Sequence, residues 1–525
     1  MNTQPKYGLG QQDFKVLRTD GALYIDKTQF IPLLLNQRFY FLSRPRRFGK
    51  SLFISTLYSF FKGEKDLFKG LAVESYNWNW EEYPIIRFDF SSGSFSRPDG
   101  LQERMFESLE WNESCYGIEA KGVSPRARFH NLIKSLKDKF GKEVVILVDE
   151  YEKPLLDAMA HTHFDSYRNE LADFYSALKN NTPNIRFLFM TGITRFGHLN
   201  IFSGLNKLND ISLDEKYDEI CGITEEELIE QMQPGVASLA KKNNWTEEKT
   251  LKALKEFFDG YHFSRRLKDI YNPFSLISSF DKEEIRSYWV ATGMSGSVLH
   301  LIKKRNWDLS NLENIEVPAV KLMGVDADFM EPTTLLYQAG YLTIKGYDPE
   351  TMLYRLRIPN REVRESLFEV IIPHYLGKEI EADQVTLNSL YKLMRDGRVN
   401  EMMKWLQTYF SKVPYTTKLR LKEDKPQAEK DFQFVTYAIF SQVCDFNRLH
   451  LEYSNSAGRS DMVIETGDYV YVMEFKLGST AKKALEQIEE KGYALPWQSS
   501  GKKVFKIGCT FSARSKGLLQ FKIAE

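Results

Sequence analysis

The chain has 525 residues, of which 42% are hydrophobic, 27% charged and 14% aromatic. That length calls for several domains, and that composition excludes wholesale disorder. A formal net charge of zero excludes a polycation that coats nucleic acid, so any nucleic-acid surface has to be a local patch.

The opening residues, MNTQPKYGLG, lack the apolar stretch of a secretory signal. No apolar run nears the roughly 20 residues of a membrane helix. Cys115, Cys221, Cys444 and Cys509 lie far apart with no CxxC pair, which supports neither a zinc site nor a disulfide framework. A cytoplasmic protein with no membrane partner is the expectation.

In chain order, RFYFL (38–42) reads as a short apolar strand and KSLFISTLYSFFK (50–62) as a helix. Between them stands SRPRRFGKS. Its Gly49-Lys50-Ser51 ends the pattern G-x-x-x-x-G-K-[ST], in which backbone N–H groups wrap an anion at a helix N-terminus. Lys50 would reach the terminal phosphates of a nucleotide, and the Ser51 hydroxyl would take one position on Mg²⁺. Arg44 stands where the pattern asks for glycine. Pro45 fixes φ in the turn, and Arg44, Arg46 and Arg47 are expected to add positive charge beside a polyphosphate. A plain basic loop before a helix is the alternative.

PIIRFDF (84–90) reads as a second strand. VVILVDEYE (144–152) is an unbroken apolar run, as in a parallel strand buried on both faces, with acids at its carboxyl end. Asp149 would hold Mg²⁺ through its water shell, and Glu150 would orient or deprotonate a water. A further strand, IRFLFM (185–190), runs into TGITRF. Thr191 or Thr194 would sense the γ-phosphate from there. Arg195 would stabilise its charge in cis or across a subunit boundary, the latter making a homo-oligomer; a locally paired arginine is the alternative.

GLGQQDFKVL, YIDKTQFI, SRPRRFGKS, VVILVDEYEKPL and TGITRF together resemble the AAA-ATPase-like domain of a large set of prokaryotic P-loop ATPases. That resemblance implies a three-layer α/β P-loop domain over 1–215 that binds ATP and Mg²⁺. Their loop has the form G-P-R-R-x-G-K-[ST]; Pro45, Arg46, Arg47, Gly49, Lys50 and Ser51 match it and Arg44 departs.

From 216 to 375 the pattern turns helical. TEEELIEQM and TEEKTLKALKEFFDG begin with acids after a capping threonine. FFDGYHF, YNPFSL and LLYQAGYLTI are rich in aromatics, a series the same family shows. LLYQAGYLTI followed by YRLRIPN suggests a helix and a short hairpin, as in a winged helix. Residues 376–426 read as a helical connector and a lysine-rich linker.

In GRSDMVIETGDYVYVMEFK (458–476), two strand-like runs flank Gly467-Asp468, a two-residue hairpin signal. With Thr466 opposite Tyr469, Asp461 falls opposite Glu474. Lys476 shares their face, because side chains alternate along a strand. Two facing carboxylates repel unless a divalent cation joins them. Mg²⁺ or Mn²⁺ there would polarise a phosphodiester and activate water, with Lys476 orienting the nucleophile or stabilising charge. A cross-strand salt bridge on a solvated hairpin is the alternative.

This stretch resembles the PD-(D/E)XK nuclease superfamily, with a restriction-endonuclease-like α/β fold over 427–525. The resemblance assigns Asp461, Glu474 and Lys476 to the motif, Gln487 and Tyr493 to the Gln…Tyr pair of the RecB-like branch, and Glu429, with Asp431 as alternative, to its first helix. Lys502, Lys503, Lys506, Arg514 and Lys516 read as a basic strip for a phosphate backbone, or as a solvated edge. The whole chain thus reads as an α/β multidomain ATPase joined to a metal-dependent nuclease acting on nucleic acid, expected to be DNA. A regulatory ATPase switch with a non-cleaving nuclease fold is the alternative.

Overall fold

The apolar run Val144–Val148 is completely buried and forms, with Asp149, the strand β3 (Val144–Asp149). It lies inside a parallel sheet with β1 (Phe39–Ser43), β2 (Ile85–Asp89), β4 (Ile185–Gly192) and the short β5 (Asn209–Asp210), in the order β2-β3-β4-β1-β5. A parallel strand needs helices on both faces, which is why this run shows no alternation. The computed structural model describes residues 5–159, 161–194, 208–289, 312, 315–322, 331–376, 384–411, 425–444, 448–455, 458–512 and 517–525. The chain divides into two compact units, Met1–Trp307 with Asn314–Asn360, and Asp308–Glu313 with Arg361–Glu525.

In the first unit the helix Lys50–Phe61 follows β1 directly, and the carboxyl ends of β1, β3 and β4 lie side by side. Beyond the sheet, Thr224 closes a reciprocal capping box with Glu227 on the helix Glu225–Gln231, and Thr246 caps Glu247–Phe258. These helices and Pro273–Asp281 bury Leu228, Met232, Leu254, Phe258 and Leu276 in a core of their own, against which Tyr7, Leu23 and Ile25 pack. The expected helix and hairpin are present as Pro332–Gln338 followed by β7 (Thr343–Asp348) and β8 (Leu353–Arg357), with β6 (Ile315–Pro318) on the outer side of β8.

The second unit holds the helices Arg361–Leu376, Gln384–Arg395, Val399–Ser411 and Lys425–Ser441. Its sheet runs β13-β12-β11-β10-β9, from β9 (Leu449–Asn455), β10 (Gly458–Glu465), β11 (Tyr469–Leu477), β12 (Lys503–Ser512) and β13 (Gly517–Ala524). β11 and β12 are parallel and joined through the helix Ala481–Glu490, whose first turn Thr480 caps; the other pairs are antiparallel. Among the described residues no helix is long and apolar enough to cross a membrane.

Candidate functional site

Gly49 sits in the left-handed region (φ 92°) and turns the chain into the helix Lys50–Phe61, so the first N–H groups of a twelve-residue helix open onto a cavity. The cavity has a volume of about 760 Å³, and Arg46, Arg47, Gly49, Lys50, Ser51 and Glu150 are on its wall. Lys50 Nζ donates to the carbonyls of Arg44 (2.9 Å) and Pro45 (3.0 Å) within its own loop. A helix N-terminus with three cationic side chains fits a polyphosphate.

The side chains of this loop are gripped by the segment that follows the sheet. Arg44 is 1% exposed; its guanidinium donates to the carbonyls of Ser43, Ser212 and Tyr217 and stacks 4.1 Å from the Phe263 ring. Arg47 stacks 3.7 Å from the Phe274 ring. Phe48 is buried edge-on against Tyr261 and Phe263, and its carbonyl accepts from Gly222 N–H. Pro45 rests on Gly340, where a Cβ would fall 2.7 Å from the proline Cβ. FFDGYHF, YNPFSL and LLYQAGYLTI, aromatic runs without a role in the sequence, are the receptors for the loop. Lys27 of YIDKTQFI likewise pairs with Glu227 of the first capped helix at 2.6 Å.

Beneath the cavity, Asp149 is 2% exposed and its Oδ1 accepts from the Thr191 hydroxyl at 2.5 Å. Neither residue is on the cavity wall, and the Thr191 hydroxyl fixes the rotamer of Asp149. Glu150 adopts φ 50°, a strained left-handed conformation for a residue with a side chain. Burial raises its carboxyl pKa, Lys50 and Arg46 pull it down, and Asp149 and Asp89 push it up again. Glu152, which sequence reasoning missed, is fully buried; its Oε1 accepts from Ile193 N–H at 2.5 Å, and burial pushes its pKa up to about 7. It braces the end of β4 against the end of β3. The signal was the third acid of DEYE, whose role depends on the neighbouring strand. Arg195 lies outside the described residues.

In the second unit the ladder Met462↔Met473 to Glu465↔Val470 closes on Gly467-Asp468, with Thr466 N–H donating to Tyr469 O at 2.8 Å. The register read from the turn is the observed one, and the next step of the ladder sets Asp461 beside Glu474. Glu474 is 1% exposed. Its Oε1 accepts from Lys476 Nζ (3.1 Å) and Gln487 Nε2 (2.5 Å), and among the described residues its buried Oε2 has no side-chain hydrogen-bond partner. Gln487 reaches the Tyr493 hydroxyl at 3.4 Å. Asp461 Oδ2 accepts from Phe475 N–H (2.7 Å), and Glu429 Oε2 accepts from Leu477 N–H (2.8 Å), so both acids are tied to β11.

Burial first, and the charge of Glu474 second, push the Asp461 pKa up to about 7; burial also raises Glu474. Burial works against the Lys476 charge, but the neighbouring carboxylates outweigh it and hold its pKa above the ordinary value. Among the described residues no group of three or more His, Cys, Asp or Glu side chains is placed to hold a metal ion. Mg²⁺ needs only one or two carboxylates when water and a substrate phosphate complete its shell, and the buried Glu474 Oε2 beside a second acid fits that use.

Residues 8–202 match the family described as "Predicted AAA-ATPase", and residues 427–520 match the PD-(D/E)XK nuclease superfamily. A protein of Azotobacter chroococcum mcd 1, described as "Uncharacterized protein in vnfD 5'region", is 32% identical over 535 residues, spanning 99% of each chain. This chain belongs to that family, an AAA-ATPase-like domain followed by a PD-(D/E)XK nuclease-superfamily domain. A solved structure, "Structure of the Aeropyrum Pernix ORC2 protein (ADPNP-ADP complexes)", aligns with 68% of this chain and 92% of that one at 11% identity. The TM-score of that alignment is 0.23.

One expectation is corrected. Arg44 adds no charge to the cavity of the AAA-ATPase-like domain, because carbonyls and an aromatic ring hold its guanidinium in the interior. Three lysines of the basic strip of the nuclease-superfamily domain carry acidic partners. Lys502 pairs with Glu465 (3.0 Å), Lys503 with Glu525 (2.7 Å) and Lys506 with Glu489 (2.7 Å). Arg514, Lys516 and the Asp431 side chain lie outside the described residues.

Proposed function

We propose that the protein is an ATP-controlled, Mg²⁺-dependent nuclease that hydrolyses phosphodiester bonds of DNA. The observation that carries this reading is the meeting of Asp461, Glu474 and Lys476 on one hairpin face with Gln487 of the helix Ala481–Glu490, around a buried carboxylate oxygen that has no side-chain partner among the described residues. Asp461 and Glu474 would hold the cation, which supplies Lewis-acid polarisation of the phosphate and a more acidic water. Lys476 brings a positive charge to where a phosphorane gathers negative charge. Gln487 fixes the Glu474 rotamer, and Glu429 fixes the backbone of β11 beside it. In the first unit Ser51 would hold Mg²⁺ and Asp149, off the cavity wall, would reach it only through its water shell, with Lys50, Arg46 and Arg47 on the phosphates. ATP control rests on the grip of the middle segment on the loop, since a nucleotide that recruits Lys50 from the Arg44 and Pro45 carbonyls perturbs the gripped turn.

The test is cleavage of linear and circular DNA, and of RNA, by the purified chain with Mg²⁺ or Mn²⁺, with and without ATP. DNA cleavage that EDTA abolishes and ATP modulates is the expected result. ATP turnover with no cleavage of any substrate would favour a regulatory ATPase whose nuclease fold only binds.

The raised carboxyl pKa values set a pH dependence. Protonated Asp461 and Glu474 cannot hold a cation, so cleavage at fixed Mn²⁺ should rise with pH through about 7. Because cation and proton compete, a higher Mn²⁺ concentration should move that rise to lower pH, as rate profiles at two Mn²⁺ levels would show.

The same shift has a stability consequence. Asp461 titrates higher folded than unfolded, so folding loses stability as pH climbs from the unfolded value of 3.8 to about 7. Asp461→Asn removes that penalty. It should raise the melting temperature at pH 8 in EDTA while abolishing the stabilisation that Mn²⁺ gives the unsubstituted chain, both read by calorimetry.

A further inference from the structure

The carboxylate of Asp461 is held at both oxygens, and only one of the two holds comes from the backbone. Oδ2 accepts from Phe475 N–H at 2.7 Å. On the other side Gln433 Nε2 donates to the Asp461 carbonyl at 3.0 Å and reaches Oδ1 at 3.4 Å. Gln433 is 4% exposed and lies on the helix Lys425–Ser441, one turn after Glu429. Residues four apart share a helix face, so one face delivers Glu429 to β11 and Gln433 to β10. Glu474 has the matching arrangement, with Gln487 on its Oε1 at 2.5 Å. Each of the two facing acids thus has a glutamine amide from a helix.

We propose that Gln433 is a positioning residue that fixes the Asp461 carboxylate for a divalent cation; this rests on the metal-dependent reading of the same site. The residue type suits the task. An amide donates to a carboxylate without neutralising it, as a lysine would, and without adding a rival anion, as a glutamate would. An outer partner of a metal-binding carboxylate typically contributes about 10- to 100-fold in metal affinity. The simpler role for a buried glutamine is to tie a helix to a strand through the Asp461 carbonyl alone, and such a tie would affect folding without affecting the cation.

The experiment compares the full chain with Gln433→Met and Gln433→Leu, apolar replacements of similar size. Mn²⁺ affinity is read from the EPR signal of the free ion, and folding from the melting temperature in EDTA. Asp461→Asn is the control for the parent reading. The expected result is a rise of at least about 10-fold in the Mn²⁺ dissociation constant in both variants, with little change in melting temperature. Saturating Mn²⁺ should then recover most of the cleavage rate. Unchanged Mn²⁺ affinity, with or without a lower melting temperature, overturns the proposal, as does failure of both variants to fold. Mn²⁺ binding that Asp461→Asn abolishes but the Gln433 variants keep overturns the positioning role alone. No Mn²⁺ binding by the unsubstituted chain overturns both readings.

Discussion

Lys476→Met should lower single-turnover DNA cleavage by about 100- to 1000-fold, the range for removing one preorganised donor from a charge-stabilising site. Methionine keeps the length and the apolar stem of lysine, so the strand should keep its packing while the ammonium is lost. That ammonium stands 3.1 Å from Glu474 Oε1 and is the cationic side chain bonded to either facing acid. Its removal has a second effect of opposite use to the experimenter. Glu474 is 1% exposed, and without Lys476 its charge is less favoured, so its pKa climbs further. The pH at which cleavage sets in should therefore move upward in the residual activity. Mn²⁺ binding at pH 8.5 or above should survive, because Asp461 and Glu474 remain. Cleavage retained at the unsubstituted rate would make Lys476 a counter-ion and return the hairpin to an ordinary cross-strand pair.

The sequence made the nuclease hairpin legible because its register follows from a two-residue turn and a period of two. Gly467-Asp468 alone sets Asp461 beside Glu474. The parallel strands were legible for a related reason: an unbroken apolar run such as VVILV has few other places to go. What stayed hidden depends on contacts between distant segments. Gln433 looks like a polar residue on a helix until β10 is placed beside it. Glu152 looks like a loop acid until Ile193 N–H meets it. Lys502 and the β12 residues Lys503 and Lys506 carry no mark of their partners, since Glu465, Glu525 and Glu489 reach them from other elements. The middle aromatics were unreadable by themselves, because their meaning lies in Arg44, Pro45, Arg47 and Phe48, more than two hundred residues earlier for most of them.

Arg44→Gly, which restores the glycine of the phosphate-loop pattern, should damage the nucleotide site rather than repair it. A glycine is needed where φ is positive, and the loop takes its left-handed steps at Arg47 (φ 66°) and Gly49 (φ 92°), with Arg44 outside the positive-φ residues. Position 44 therefore gains nothing from a missing side chain. It loses a guanidinium that binds three backbone carbonyls and an aromatic face in the interior. Hydrogen bonds to charged groups contribute about 1.5–3 kcal/mol each, and the vacated volume adds a cavity term, so a destabilisation on the order of 3–5 kcal/mol is expected. The Ser212 and Tyr217 carbonyls would be left without this donor, and the loop would no longer be tied to the segment that grips it. The melting transition of the first unit should fall by several degrees. Binding of a fluorescent ATP analogue should weaken in proportion to the unfolded or loosened fraction. Arg44→Lys is the sharper variant. It keeps a cation of similar reach but cannot span three carbonyls with a planar fork, so it should recover part of the melting temperature and less of the affinity. Tighter nucleotide binding by Arg44→Gly at an unchanged melting temperature would show that the arginine hinders the loop instead of anchoring it.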